Sequence, residues 1–189
     1  MLATHIQTRT RYPALVRALT IITFAALTAL SARLTLNLPF TPVPVTLQVL
    51  VVLLAGLALG AKDGAASQLL YVAAITAGLP LDARGLGPGV WATPTGGFLA
   101  GFVAGAFVAG YLAEKGLGRN RGLRFVAGLA GVAVIYLFGA LWLTFGFLGG
   151  NLAKGWALGV APFILVDLAK AVIASALAEG TRRSLNWLG

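Results

Sequence analysis

Apolar runs of about 20 residues recur almost from end to end of this chain, and they constrain its fold more than any other feature. A helix of that length crosses the hydrocarbon core of a bilayer, which is about 30 Å thick. Only 10% of the 189 residues are charged, whereas an ordinary soluble domain carries charges at roughly 25% of its positions. A water-soluble fold would lack the polar residues to cover its surface. The sequence therefore predicts an all-α integral membrane protein.

Charged residues and Pro- or Gly-rich clusters divide the apolar runs into six predicted transmembrane helices. They cover approximately residues 14–36, 45–61, 64–77, 95–112, 123–148 and 156–178. The first run is too long for the apolar part of a cleaved signal peptide, and further spans follow it. We expect a polar cytoplasmic tail over residues 1–13, a six-helix transmembrane domain over 14–180 and a cytoplasmic tail over 181–189.

The positions of Lys and Arg predict the orientation, because cytoplasmic loops carry an excess of these residues. If six spans alternate in direction, one side holds ten of them and the other side holds three. The ten are Arg9, Arg11, Arg17, Lys62, Lys115, Arg119, Arg121, Arg124, Arg182 and Arg183, and the three are Arg33, Arg84 and Lys154. We therefore expect a multi-pass protein of the cell membrane with both termini in the cytoplasm.

Two loops on the predicted outer side have unusual compositions. Loop 1–2 carries Pro39, Pro42 and Pro44 within six positions, which favours a stiff, extended backbone. Loop 3–4, over residues 78–97, contains six glycines, three prolines and Trp91, a composition typical of an ordered or closable loop. The two loops either form an outer lid or are ordinary connections, and their composition alone leaves both interpretations open.

Small residues recur at every fourth position in two of the predicted spans. Ala25 and Ala29 form such a pair in the first span, and Gly97, Gly101 and Gly105 form a series in the fourth. Helices in lipid contact one another through small residues, because burying apolar surface gains little in apolar surroundings. These faces serve either internal packing or docking of another membrane subunit.

Asp167 and Lys170 lie deep in the sixth predicted span, with apolar residues on both sides. An ionised side chain at the bilayer centre costs on the order of 3 kcal/mol, so such residues face a protein interior and find partners. Their spacing of three places both on one helical face, where they neutralise each other and keep hydrogen-bonding capacity for a ligand. The alternative is an ion pair that only fixes helix register, although buried pairs add little stability.

Several other functions find little support in the sequence. The basic residues behind the net charge of +9 are scattered between spans, which argues against nucleic-acid binding. With no cysteine and a lone His5 in a polar tail, no metal site is expected. No Ser/His/Asp set, HExxH motif or phosphate loop indicates an enzyme, so any ATP hydrolysis would belong to partner subunits.

A self-sufficient secondary transporter is a further alternative. It would need ligands for a coupling ion and an internal repeat, and neither is found. A proton relay would need a second acidic residue or a histidine near Asp167. A structural membrane subunit without a ligand would leave the buried charge pair and the rigid loops without a purpose.

Four segments occur together in an order and spacing that resemble a known family. They are the run 42–48 (PVPVTLQ), the run 78–80 (GLP), the run 94–98 (PTGGF), and Pro162-Phe163 followed by Asp167 and Lys170. They resemble the BioY family, the biotin-specific S components of energy-coupling factor (ECF) transporters, over nearly the whole chain. The resemblance implies a six-helix S-component-like bundle, with an outer lid formed by loops 1–2 and 3–4, that binds biotin with high affinity for uptake.

The same resemblance implies partners and cofactors. The chain would associate with a transmembrane coupling subunit and a pair of ABC-type ATPases. Self-association is an alternative that the sequence leaves open. Biotin would be the transported ligand, and no cofactor is implied.

The resemblance also implies which residues bind the ligand. Asp167 and Lys170 match family positions that contact the ureido head of biotin. A cyclic urea has two N–H donors and one carbonyl acceptor, which a carboxylate and an ammonium complement. Thr46 and Gln48 match the family's TLQ motif, and Tyr71 is a looser candidate for an aromatic wall.

Further positions carry implied roles in backbone approach and docking. Gly96 and Gly97 match a glycine pair that lets the backbone approach the ligand. Ala25 and Ala29 match the first-helix surface that S components are thought to present to the coupling subunit.

Three positions depart from the family pattern. Thr93 and Phe98 stand where Gly and Tyr are frequent, so a tyrosine hydroxyl contact is not expected at position 98. Asp82 stands where apolar residues are usual, and it is either a surface charge or a specificity change near the pocket mouth. An S component for a different small vitamin stays an alternative, because such proteins differ mainly in their loops.

Overall fold

The computed structural model describes the backbone of residues 14–187 and the side chains of residues 14–181. The predicted N-terminal tail lies outside the described residues, as do His5, Arg9 and Arg11. The side chains of Arg182 and Arg183 also lie outside them.

Seven α-helices make up most of the described chain. They are α1 (Ala14–Ala32), α2 (Gln48–Leu59), α3 (Ala61–Thr76), α4 (Gly96–Leu112), α5 (Arg121–Phe147), α6 (Leu152–Gly159) and α7 (Ile164–Trp187). The connections also contain short regular elements: strands β1 (Thr35–Leu36) and β2 (Val45–Thr46), 3-10 turns at Gly87–Ala92 and Ala161–Phe163, and a π turn at Ala113–Leu117. The two strands pair antiparallel within loop 1–2.

Four helical segments are long and apolar enough to cross a membrane. They are Ala14–Ala32, Gly96–Leu117, Arg121–Phe147 and Leu152–Thr181. The helices α2 and α3 contain 12 and 16 residues, so they rise about 18 and 24 Å, less than the hydrocarbon thickness. The chain is thus a helical membrane protein, and six crossings stay a prediction.

The sixth predicted span is broken, whereas the sequence predicted one continuous helix. Pro162 has no N–H to donate and its ring clashes with the preceding turn, so the chain passes from α6 through a 3-10 turn into α7. Asp167 therefore lies in the first turn of α7. The positive end of the helix dipole at this position stabilises a carboxylate.

Glycines allow α2, α3 and α4 to approach closely. Gly60 alone separates α2 from α3, and its φ of +88° is a conformation that favours glycine. A Cβ at Gly64 would lie 2.7 Å from the Cα of Gly56, and one at Gly56 would overlap the carbonyl of Ala106 in α4. The short α2–α3 pair is thereby held against α4.

The glycine series of α4 faces α5. A Cβ at Gly97 would overlap the side chain of Trp142, and one at Gly101 would lie 3.0 Å from the Cα of Ile135. A Cβ at Gly105 would lie 2.6 Å from Cγ1 of Ile135. The series serves packing within the chain, which decides between the two alternatives for this span.

The small residues of α1 also face inward. Ala25 and Ala29 are buried and belong to the main apolar core, whereas Leu19, Ile22 and Leu30 of the same helix are exposed. Ala25 and Ala29 keep only 8% and 9% of their surface exposed, and their docking role stays a prediction. Internal packing is the interpretation that the structure supports.

Candidate ligand-binding site

A cavity lies where loops 1–2 and 3–4 meet α4, α5 and α7. Its empty space is about 590 Å³ with solvent at its opening included. It is lined by Val43, Pro44, Val45, Thr46, Gln48, Val49, Asp82, Ala83, Val90, Thr95, Phe98, Leu99, Phe102, Ile135, Tyr136, Phe163, Asp167 and Lys170. Most of the wall is apolar, and the polar groups are concentrated in a few places.

One polar cluster consists of Asp167, Lys170 and Tyr136. Asp167 and Lys170 are only 2% and 4% exposed. Nζ of Lys170 donates to Oδ1 of Asp167 at 2.6 Å, and the hydroxyl of Tyr136 donates to Oδ2 at 2.7 Å. Each carboxylate oxygen accepts one of these bonds and keeps a further lone pair, while the ammonium keeps two more donors. The cluster is therefore stable as an ion pair and still able to bind a polar ligand.

A second polar cluster connects loop 1–2 to α3. The hydroxyl of Thr46 donates to Oε1 of Gln48 at 3.0 Å, and Nε2 of Gln48 donates to the hydroxyl of Tyr71 at 2.8 Å. Tyr71 in turn donates to the carbonyl of Leu81 at 3.1 Å. Thr46 and Gln48 line the cavity, whereas Tyr71 is not among the described residues that line it. Tyr71 holds Gln48 from behind instead of forming an aromatic wall.

Asp82 lines the same cavity and is only 2% exposed, so the interpretation as a surface charge is wrong. Its Oδ1 accepts the backbone N–H of Gly87 at 2.8 Å, and its Oδ2 accepts that of Arg84 at 3.0 Å. Gly87 has a φ of +57°, a conformation that favours glycine. The carboxylate thus fixes the turn of loop 3–4 that faces the cavity.

The two loops are tied to each other and to α6. The guanidinium of Arg84 in loop 3–4 donates to the carbonyl of Pro42 in loop 1–2. The hydroxyl of Thr41 donates to the carbonyl of Leu158 in α6 at 2.6 Å. Both loops contribute to the cavity wall, which is the arrangement that the predicted lid requires.

The glycine pair at the start of α4 has a packing role in this structure. Gly96 and Gly97 are not among the described residues that line the cavity. A Cβ at Gly96 would lie 3.3 Å from the ring of Trp142, and Gly97 faces the same side chain. The neighbouring Phe98 lines the cavity and packs over Gly139, where a Cβ would overlap its ring.

Tyr136 was not predicted from the sequence. It lies in the middle of α5, among apolar residues. Tyrosines in membrane helices are enriched near the water interfaces, so a tyrosine at the centre of a long span was a signal that could have found it.

Comparisons with known proteins agree on one family. A model of the BioY family matches residues 5–187. The probable biotin transporter BioY of Pyrococcus horikoshii is 42% identical over 158 residues, which cover 82% of this chain and 90% of that protein. The biotin transporter BioY of Thermotoga maritima is 38% identical over 156 residues, with coverages of 82% and 89%.

A solved structure shares the fold as well. The crystal structure of the S component for biotin from an ECF-type ABC transporter superposes with a TM-score of 0.81 at 25% sequence identity. The match covers 90% of this chain and 92% of that chain.

Proposed function

This chain belongs to the BioY family, and from that premise we propose that it binds biotin with high affinity in the cavity, as the substrate-capture subunit of an ECF-type vitamin transporter. Relatives that are similar over most of their length are named biotin transporters. The observation that carries the proposal is the buried cluster of Asp167, Lys170 and Tyr136 on the cavity wall.

The chemistry of this cluster suits the ureido head of biotin. Asp167 has unused lone pairs for an N–H group, and Lys170 has unused donors for the urea carbonyl. The urea is neutral, so its binding adds no charge to a buried pair that is already balanced. An additional buried charge would instead carry a large desolvation cost.

The rest of the cavity suits the apolar part of the same ligand. Phe98, Phe102, Ile135 and Phe163 line it and offer surface for a sulfur-containing ring and an aliphatic chain. With the head at Asp167, the ionised tail would point toward the loops, where water can reach it.

We further propose six membrane crossings, with α6 and α7 together forming the sixth. The cavity and the loops that border it would face the outside of the cell, and both termini would lie in the cytoplasm. A transmembrane coupling subunit and a pair of ABC-type ATPases would supply the energy for uptake, as the ECF-type assembly of the structural relative suggests.

Isothermal titration calorimetry on the detergent-purified protein tests the proposed ligand. We expect a single saturable site for biotin and no heat of binding for thiamine or riboflavin at the same concentrations. Tight binding of another vitamin, together with no binding of biotin, would overturn the choice of ligand and leave the transporter class in place.

A further inference from the structure

The hydrogen bond that Tyr136 makes to Asp167 determines what its hydroxyl group can offer to a ligand. Its hydroxyl has a single proton, which is donated to Oδ2 of Asp167 at 2.7 Å. Its side chain also lines the cavity. With the proton committed, the phenol oxygen offers only lone pairs to a ligand. Tyr136 therefore adds an acceptor to the cavity and no free donor.

The whole cluster can be described by its free donors and acceptors. Asp167 presents acceptor oxygens, Tyr136 presents a second acceptor group, and Lys170 presents the N–H groups not used by Asp167. Two acceptor groups and one donor group are the complement of a cyclic urea, which has two N–H donors and one carbonyl acceptor. The two N–H groups of a ring urea diverge on either side of the carbonyl, so one carboxylate does not bind both with short bonds.

We propose that Tyr136 contacts the ligand directly and determines specificity for a cyclic urea. Asp167 accepts one N–H, Lys170 donates to the carbonyl, and the phenol oxygen of Tyr136 accepts the second N–H. This inference rests on the function proposed above. Among the cavity residues that the structure describes, Tyr136 is joined to Asp167 by a direct hydrogen bond, whereas Thr46 and Gln48 belong to the separate cluster around Tyr71.

The consequence is selection against rings that lack the second N–H. A ligand with an oxygen or a carbon at the position of the second N–H leaves the buried acceptor oxygen of Tyr136 unpaired. Sites built to hydrogen-bond a substrate group reject analogues without that group strongly, because the polar atoms of the site lose their partner.

The first test is the Tyr136→Phe variant in biotin calorimetry, with Tyr111→Phe as the matched control. Tyr111 is exposed and stacks on Phe107 in α4. We expect the dissociation constant for biotin to rise about tenfold or more in Tyr136→Phe, and to change less than about twofold in the control. Unchanged affinity in Tyr136→Phe would overturn this inference alone, whereas the absence of biotin binding by the unaltered protein would overturn the proposed function.

The second test separates direct contact from an effect through Asp167. It uses the two cyclic carbamate analogues of biotin, each with one ring N–H replaced by oxygen. The unaltered protein should bind both at least about tenfold more weakly than biotin, a measurement that does not require any variant to fold. Equal affinity for biotin and either analogue would contradict the proposed contacts.

The same analogues are then titrated into Tyr136→Phe. For the analogue that lacks the N–H facing Tyr136, the substitution should raise the dissociation constant less than about twofold, because the contact is already absent. For the other analogue, the substitution should still weaken binding about tenfold. An equal loss for biotin and for both analogues would mean that Tyr136 only positions Asp167, and would overturn the direct contact.

Discussion

Buried polar side chains define the candidate ligand site, because each of them needs a partner in a lipid-surrounded protein. Asp167 and Lys170 could be predicted from the sequence, since no other charges lie so deep in an apolar span. Their mutual contact at 2.6 Å follows from their spacing on a helix. Thr46 and Gln48 were implied by the family resemblance, and both line the cavity.

Other residues of the site could not be assigned from the sequence. The side of a helix that a neutral residue faces is set by its neighbours in three dimensions. Tyr71 is buried behind Gln48, and Tyr136 faces the cavity, yet both are tyrosines within apolar runs. Asp82 is similarly ambiguous, because only the folded loop brings the N–H groups of Arg84 and Gly87 to its carboxylate.

Removing the carboxylate of Asp82 should loosen the loop that borders the cavity. In Asp82→Ala the backbone N–H groups of Arg84 and Gly87 lose their acceptor, so loop 3–4 loses order next to the bound ligand. We expect the dissociation rate of radiolabelled biotin to rise about tenfold, the effect of losing one or two hydrogen bonds to a charged group. The control is Asp63→Ala, which removes the 21% exposed ion-pair partner of Arg17 on the predicted cytoplasmic side. Equal dissociation rates for Asp82→Ala and the unaltered protein would argue against an ordering role.

Among the helices, those with long apolar runs were predicted most accurately. The predicted fourth and fifth spans differ from α4 and α5 by at most two residues at each end. The strand pair in loop 1–2, the Gly60 junction and the break at Pro162 were not predicted. Hydropathy shows how far an apolar run extends, whereas these features depend on where individual backbone groups find hydrogen-bond partners.

The close approach of α4 to α5 gives a stability prediction. Gly97→Ala should lower the free energy of unfolding by about 1–3 kcal/mol, because its new methyl group would overlap Trp142. The matched control is Gly146→Ala near the end of α5, where a Cβ would meet no atom within 4 Å. Unfolding in mixed micelles with increasing SDS measures both variants. Equal stability of the two would show that α4 and α5 do not pack as described.

In the complete bundle, the candidate cavity extends from loops 1–2 and 3–4 at one end to the buried ion pair of α7. The loops are tied together by Arg84 and Pro42, and the apolar wall comes from α4, α5 and the turn before α7. We therefore expect the cavity to bind its ligand from one side of the membrane only. The orientation of the bundle therefore decides from which compartment the ligand is captured.

Single-cysteine labelling tests this orientation and the number of crossings, since the natural chain contains no cysteine. Lys62, Arg119 and Gly150 are exposed positions in or near three different connections. Gly150→Cys should react with a membrane-impermeant maleimide in intact cells. Lys62→Cys and Arg119→Cys should react only after permeabilisation. Reaction of Lys62→Cys in intact cells would show that α2 and α3 do not cross the membrane separately.

The most direct measurement is biotin calorimetry on the charge-neutral double variant Asp167→Asn/Lys170→Met. Replacing both members of a buried ion pair by neutral residues often leaves stability unchanged or raised, so the variant should purify and unfold like the unaltered protein. If the pair binds the urea of biotin, affinity should fall by about 100-fold or more, because charge-assisted hydrogen bonds are lost at both residues. A folded double variant that binds biotin as tightly as the unaltered protein would contradict a ligand site at Asp167 and Lys170.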